Sequence, residues 1–291
     1  MTRKNLKVSS ATTPARLARC LVRGPNRSFP DGLTTIVRPD SPRTDPGDTG
    51  IDFSIQRLRR GGRHSEVATA ETVLVLLGGD LLIVANGTTF NVSRGSLFDE
   101  GPSTFHCGPG QLFELTAGAT PAEFAMIRTA RKSPLPVRFT RSSEVDSEDR
   151  GAGLAQGACR RCVRTIFDHS SRPDSNLVVG EVVNYPGRWS SYPPHHHAQP
   201  EIYHYRFTER QGYGHAELGD AVFKVRHGDT VSIPGGLDHA QVSAPGYGMY
   251  YLWIVRHLPR RPYKGFEFTP AHTWLLDPAQ QGWLPPIGTL T

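Results

Sequence analysis

Short apolar runs separated by turn residues recur along most of the chain, and they constrain its fold more than any other feature. In the first half they occupy residues 72–77, 81–85, 88–92, 112–116 and 124–128. Gly78-Gly79, Asn86-Gly87 and Gly118 separate these runs at a spacing typical of β-strands. The pattern resumes at 162–166 and 177–183 and continues to Leu258. We therefore expect an all-β protein with many short strands.

A repeat between the two halves predicts two units of the same kind. Phe90-x-Val-x-x-Gly95 recurs in the second half as Phe223-x-Val-x-x-Gly228. We interpret the chain as two β-barrels in tandem, with an N-terminal barrel at 21–135 and a C-terminal barrel with its tail at 161–291. The polar segment 136–160 is interpreted as the crossover between them.

The positive net charge of +6 is confined to the start of the chain. Residues 1–30 carry seven Lys or Arg and no Asp or Glu, which leaves 26 basic and 27 acidic residues in the remainder. A surface that binds nucleic-acid phosphates needs an excess of basic residues, and the chain after residue 30 has none. We therefore expect no nucleic-acid partner. We interpret residues 1–20 as a disordered basic leader.

The apolar content and the cysteines indicate where such a chain resides. No apolar run approaches the ~18 residues that a membrane-spanning helix needs, so we expect no membrane association. Cys20, Cys107, Cys159 and Cys162 are too few for a disulfide framework in 291 residues, and we expect free thiols in the cytoplasm.

One short stretch of the second half has the spacing of a metal site. Successive residues of a strand face opposite sides, so His195 and His197 project together while His196 points to the other surface. Glu201 follows the turn implied by Pro200 and can add a carboxylate oxygen. Borderline divalent metals accept such mixed nitrogen and oxygen ligands.

A second stretch supplies a fourth ligand. In Gly228-x5-Pro234-x-Gly236-x2-His239, the proline and glycine shape a turn that starts the strand bearing His239. Together the two stretches resemble the two motifs of the cupins, which fold as a double-stranded β-helix. The sequence is thus identified as a bicupin, two tandem cupin β-barrels, with its metal in the second.

The first half does not keep these ligands. When Glu71 is aligned with Glu201, Ser65 takes the place of His195 and Val67 that of His197, and the second motif aligns Glu114 with His239. His64 lies one position away and would face the opposite side of a strand. We therefore expect no metal in the N-terminal barrel.

From about residue 21 to 276 the sequence also resembles the bacterial 5-deoxyglucuronate isomerases of inositol catabolism, which are related to the 5-keto-4-deoxyuronate isomerases. The resemblance is densest at 176–184, 189–195, 201–207, 211–214, 244–252 and 270–276. It implies a bicupin whose C-terminal barrel holds a divalent metal, usually zinc, with manganese or iron as alternatives. Its ligand residues match His195, His197, Glu201 and His239.

Three positions depart from that family. His196 stands where Lys is common, Gly235 where Arg is common, and Trp253 where Asn is common. A substrate carboxylate normally pairs with Arg or Lys, so the missing arginine bears on substrate recognition. By proximity in sequence to the site strands, Arg206 and Arg256 are the substrate-binding candidates.

The resemblance implies a metal-dependent aldose-ketose isomerase that converts 5-deoxy-D-glucuronate into 2-deoxy-5-keto-D-gluconate. Tyr203 and Tyr205 alternate in phase with Glu201, so all three are candidates for proton transfer, with core packing the alternative for each tyrosine. A cupin dioxygenase and a metal-bearing sugar-binding protein without turnover are the other hypotheses. A small sugar acid is the expected partner, and homo-oligomerisation stays open.

Overall fold

The computed structural model describes residues 17–25, 28–39, 48–280 and 282–283. The first ten strands are β1 (Leu21–Val22), β2 (Gly32–Val37), β3 (Ile51–Leu58), β4 (Arg63–Val67), β5 (Glu71–Ala85), β6 (Thr88–Arg94), β7 (Thr104–Cys107), β8 (Leu112–Ala117), β9 (Ala122–Thr129) and β10 (Arg138–Thr140). The next are β11 (Glu148–Arg150), β12 (Arg161–Phe167), β13 (Leu177–Asn184), β14 (Trp189–His196), β15 (Glu201–Phe207), β16 (Tyr213–Leu218), β17 (Ala221–Arg226), β18 (Thr230–Ile233), β19 (His239–Ser243), β20 (Met249–Arg256) and β21 (Glu267–Phe268). Short 3-10 helices cover Ala18–Cys20, Ser142–Glu144, Ala155–Gly157 and Pro270–Leu276.

The first barrel is built from β2 to β10, and β5 is shared by its two faces. The early part of β5 pairs with β7 and β9, and the later part pairs with β6 and β8. Gly78-Gly79, expected to separate two strands, instead lies inside this single bent strand. Gly79 has a φ of +89°, and a Cβ there would lie 1.8 Å from the Pro121 carbonyl oxygen. The glycine therefore permits a corner where the chain crosses closely, without ending the strand.

The second barrel consists of two facing sheets. One has the order β1-β18-β15-β20-β13-β12-β11, and the other has the order β17-β16-β19-β14-β21. Val163, Tyr205, Leu218, Val225 and Tyr251 are among the buried side chains between them. The predicted all-β architecture of tandem barrels is confirmed.

An apolar layer joins the two barrels and fixes which way the strands of the second barrel face. Phe53 and Val75 of the first half pack there with Ile202 and Ile254 of the second. Because side chains alternate along β15, Tyr203 points into the barrel while its neighbour Ile202 faces the other half. This phase decides which residues of β15 and β20 can reach an internal site.

The N-terminal segment joins the second barrel rather than the first. Leu17 and Cys20 are buried in the core of the second barrel, and β1 pairs with β18 through Leu21 and Val231. Arg23 Nη1 also lies 2.6 Å from Asp229 Oδ2. Residues 17–20 are thus not disordered and residues 21–22 do not belong to the N-terminal barrel, because apolar side chains here complete a core distant in sequence. Residues 1–16 lie outside the described part.

The crossover segment supplies a strand to each half. β10 pairs with β7 of the first barrel, and β11 pairs with β12 of the second. All four cysteines are free thiols, as expected. Within the described ranges, no helix has the length and apolar character needed to cross a membrane.

Candidate functional site

Three strands of the second barrel bring the motif residues together. β14 carries His195 and ends one residue before His197, while Glu201 begins β15 and His239 begins β19. His195 and His239 are partners across the β14–β19 pair. The turn before His239 is tied to the first motif, because the Gly236 N–H donates to the His197 carbonyl oxygen at 2.7 Å. The two motifs are therefore adjacent inside the barrel.

His197, Glu201 and His239 form a compact buried cluster. One ligand atom from each lies within 4.8 Å of the other two. Glu201 Oε1 is 3.1 Å from His197 Nε2 and 2.8 Å from His239 Nε2. Two imidazole nitrogens and a carboxylate oxygen so arranged could hold a divalent metal ion.

The hydrogen bonding of the cluster fits a cation. His239 Nδ1–H donates to the Leu237 carbonyl oxygen at 3.0 Å, so a neutral ring presents its bare Nε2 to Glu201. Two lone pairs 2.8 Å apart repel unless a proton or a metal ion lies between them. Burial alone would raise the pKa of Glu201, but His239 and His197 outweigh it and hold that pKa well below its usual range. The carboxylate is therefore charged and available as a ligand.

His195 lies beside this cluster rather than within it. Its ring centroid is 4.5 Å from that of His239 and 4.1 Å from that of Phe266. Burial, reinforced by His239, lowers the pKa of His195 to about 3, which keeps the ring neutral with a free lone pair. His196 points the other way, as strand alternation predicts, with Nδ1 2.7 Å from Asp238 Oδ1.

A pocket of about 210 Å³ opens beside the cluster. Its lining includes His195, His197, Glu201 and Tyr203, and also Arg150, Arg161, Thr165, Tyr251, Trp253, Tyr263, Phe266 and Phe268. Tyr251 and Trp253 are two residues apart on β20 and therefore face the same side, so the sequence pattern could have identified them as pocket residues. Tyr263 and Phe266 lie in an irregular segment after β20, where the sequence has no strand period to reveal them.

The two candidate tyrosines differ in what they can reach. Tyr203 lines the pocket, and its ring centroid is 5.9 Å from that of His239. Burial raises the pKa of Tyr203 well above its usual value, so its phenol stays protonated. Tyr205 is fully buried and its hydroxyl donates to Gln241 Oε1 at 2.9 Å. Tyr205 does not line the pocket and packs the barrel instead.

Arg206 and Arg256 are wrong as substrate-binding candidates. Even-numbered residues of β15 and β20 face the first barrel, and these arginines follow that phase. Arg206 Nη2 is 2.8 Å from Glu123 Oε1 of the first half. Arg256 Nε donates to the Thr49 carbonyl oxygen at 2.6 Å and lines a different cavity. Proximity in sequence placed both on the wrong face.

Glu71 is likewise not the structural counterpart of Glu201. It shares the phase of Val73 and Val75, which belong to the layer between the barrels. Its Oε1 accepts a hydrogen bond from Ser175 Oγ at 2.6 Å and lies 3.1 Å from His106 Nε2. The alignment of Glu71 with Glu201 was therefore out of phase, and Glu71 serves the contact between the halves.

Comparison with known proteins places these features in a family. Residues 23–275 match the profile of a family described as KduI/IolB. The 5-deoxy-glucuronate isomerase of Geobacillus kaustophilus is 31% identical over 246 residues, covering 78% of this chain and 86% of that protein. The 5-deoxy-glucuronate isomerase of Bacillus subtilis subsp. natto is 28% identical over 249 residues, covering 79% and 89%.

Solved structures agree on the fold. An IolB-like protein from Salmonella typhimurium superposes with a TM-score of 0.75 at 24% identity, covering 88% of this chain and 99% of that one. Oxalate decarboxylase from Lactobacillus farciminis, a cupin, superposes with a TM-score of 0.59 at 12% identity, covering 83% and 85%. The predicted bicupin fold is confirmed.

Proposed function

The chain belongs to the KduI/IolB family, and on this premise we propose that it is an isomerase that converts 5-deoxy-D-glucuronate into 2-deoxy-5-keto-D-gluconate in inositol catabolism. The observation that carries the proposal is the buried cluster of His197, Glu201 and His239, which opens onto a pocket lined by Tyr203. An aldose-ketose isomerisation needs both polarised oxygens and a proton donor or acceptor beside them.

We infer that His197, Glu201 and His239 hold a divalent metal, with His195 near enough to complete the set. Zinc suits this donor set best, and manganese or iron would also fit. When bound, such an ion supplies Lewis-acid polarisation of a carbonyl and its neighbouring hydroxyl. Trp253, Phe266 and Phe268 form an apolar part of the pocket wall, which leaves water few polar groups to bind beside the reacting carbons.

Proton donation to a substrate oxygen is assigned to Tyr203 rather than to Glu201. The lowered pKa of Glu201 makes its carboxylate a weak base and favours its role as a ligand. The Tyr203 phenol lies at the pocket wall and holds a proton that it can give to, or share with, a substrate oxygen. The bound sugar acid would thus have an acid group on one side and the ligand cluster beside it.

The proposed activity can be tested directly. Metal-replete protein and 5-deoxyglucuronate are incubated without oxygen, nucleotide or reductant, and loss of the aldehyde proton is followed by NMR. We expect conversion to the ketose, stopped by chelator and restored by added metal. Absence of conversion would refute the isomerase, and substrate-dependent oxygen uptake in air would support the dioxygenase.

Tyr203→Phe is expected to lower kcat by about 10² to 10⁴ while metal content stays unchanged, because only the phenolic hydroxyl is removed. Tyr205→Phe is the matched control, since that hydroxyl contacts Gln241 and not the pocket. The control should keep kcat within a few-fold of wild type. Equal losses in the two variants, measured in the same assay, would remove Tyr203 from the proton-transfer role.

We place the reaction in the cytoplasm, with a small sugar acid as the partner. The four free thiols support a reducing compartment.

A further inference from the structure

Two arginines stand side by side on one wall of the pocket. Arg150 on β11 and Arg161 on β12 are Cα partners, so their side chains leave neighbouring strands on the same face. Both line the pocket that contains Glu201. Like charges directly opposite each other destabilise a sheet, which makes the pair costly unless an anion lies beside it.

Among the described residues, only one of these two arginines forms an ion pair with an acidic side chain. Arg150 Nη2 is 2.7 Å from Glu148 Oε2. Arg161 Nη1 donates to the Cys159 carbonyl oxygen at 2.8 Å, and no ion pair of Arg161 is found with any acid of the described ranges. The remaining N–H groups of its guanidinium can therefore take a carboxylate from within the pocket.

Strand alternation separates Arg161 from its basic neighbour. Val163 and Thr165 share its phase and also line the pocket. Arg160 lies in the opposite phase, is half exposed, and has Nη2 2.8 Å from Asp149 Oδ2. Two adjacent arginines thus have different surroundings, and only Arg161 is directed at the site.

Gly235, the position at which the resembling family commonly has Arg, cannot supply the cation in this chain. A Cβ at Gly235 would lie 1.9 Å from the Ala198 carbonyl oxygen, so the turn of the second motif has no room for a side chain. Arg206 and Arg256 face the first barrel, as described above. Among the described residues, the cations that line this pocket are Arg150 and Arg161.

We propose that Arg161, assisted by Arg150, binds the carboxylate of the sugar-acid substrate and sets the preference for acids over neutral sugars. This assignment rests on the proposed function for the class of substrate. A guanidinium matches a carboxylate with two parallel hydrogen bonds, which orients the sugar and leaves its aldehyde end free to face the ligand cluster. The arginine pair acts in binding and not in proton transfer.

The test compares Arg161→Met with the control Arg160→Met. Titration calorimetry measures binding of D-glucuronate and of its neutral amide, D-glucuronamide, to zinc-loaded protein, and turnover assays give kcat and KM. We expect Arg161→Met to weaken glucuronate binding and to raise KM by about 10- to 100-fold, with kcat within a few-fold. Binding of the amide, zinc content and the behaviour of Arg160→Met should match wild type.

Further variants keep the outcome decisive. Arg161→Lys retains the charge without the planar fork and should give an intermediate loss, which serves if Arg161→Met does not fold. The proposal would be overturned if Arg161→Met, and the double variant that adds Arg150→Met, still preferred glucuronate over glucuronamide as strongly as wild type does. It would also be overturned if the wild-type protein bound the acid and the amide with equal affinity. Glucuronate binding through Arg161 without conversion of 5-deoxyglucuronate would refute the isomerase alone.

Discussion

His197→Ala is expected to abolish metal binding and to lower turnover by about 10³-fold or more. The imidazole is buried, its Nε2 lies 3.1 Å from Glu201 Oε1, and its removal leaves one imidazole and one carboxylate in the compact cluster. Lewis-acid stabilisation contributes several kcal/mol to such reactions, and each ~1.4 kcal/mol is tenfold in rate. Zinc per chain is measured by mass spectrometry after dialysis, and turnover is measured by the aldehyde NMR assay.

His196→Ala is the matched control for this change. The two histidines are adjacent, but His196 is half-buried on the opposite face and is bonded to Asp238. Its removal should leave metal content near one per chain and turnover within a few-fold of wild type. Equal metal loss in both variants would contradict the assignment of ligands by strand alternation, and full metal retention in His197→Ala would remove that residue from the ligand set.

The cluster of His197, Glu201 and His239 was predictable because each of its determinants is local in sequence. A strand has a period of two, so His195 and His197 share a face whatever the rest of the chain does. The Pro234–Gly236 turn fixes the entry of His239 into the next strand in the same local way. Short-range rules therefore found the residues that the structure brings together, while the lateral position of His195 depends on its contact with Phe266, which no spacing encodes.

The basic residues of the pocket could not be predicted, because their positions depend on tertiary contacts and not on local spacing. Arg206 and Arg256 are close in sequence to site residues, but their phase turns them toward the first barrel. Arg150 lies on a three-residue strand of sequence Glu-Asp-Arg, which has no apolar period to mark it as part of a barrel. Its role depends on pairing with Arg161 across β11 and β12, a tertiary event.

The same limit explains the error at Glu71. The offset from Phe90 to Phe223 is odd and the offset from Glu71 to Glu201 is even, and an odd difference between two offsets reverses the face of every residue on a strand. The apolar phase of β5 could have exposed this, because Leu74 and Leu76 fill the barrel while Val73 and Val75 face the other half. Two repeats must therefore be aligned so that matched residues face the same side of their strands before equivalent ligand positions are compared.

Replacement of Arg94 by Met is expected to destabilise the protein by about 1–3 kcal/mol, because buried acceptors lose their hydrogen-bond donor. Arg94 comes from the first barrel, and its Nη2 is 2.7 Å from Oε1 of Glu181 in the second. The same carboxylate accepts hydrogen bonds from Arg164 Nη1 at 2.9 Å and from the Tyr250 hydroxyl at 3.0 Å. The side chains of Arg94 and Glu181 are 1% and 0% exposed, so water cannot replace a lost partner.

Replacement of the partner carboxylate, Glu181, should lower the stability of the protein at least as much. Glu181→Gln keeps the shape of the side chain but leaves Arg94 and Arg164 buried side by side without a counter-charge, and like charges at low dielectric repel strongly. Removing Arg94 instead leaves Glu181 paired with Arg164 alone. The ion cluster therefore ties the two barrels together because the buried positive charge of Arg94 in the first half is neutralised by Glu181 of the second half.

Urea denaturation followed by circular dichroism measures both losses, with Arg160→Met as the control. The Arg160–Asp149 pair is half exposed on both sides, so its removal should hardly move the midpoint. A midpoint for Arg94→Met equal to that of the control would show that the buried cluster contributes nothing to stability. Because none of Arg94, Arg164 and Glu181 lines the pocket, folded Arg94→Met protein should keep its metal and its kcat at temperatures below its own transition. Loss of stability with retained turnover would separate the junction between the barrels from the chemistry inside the second one.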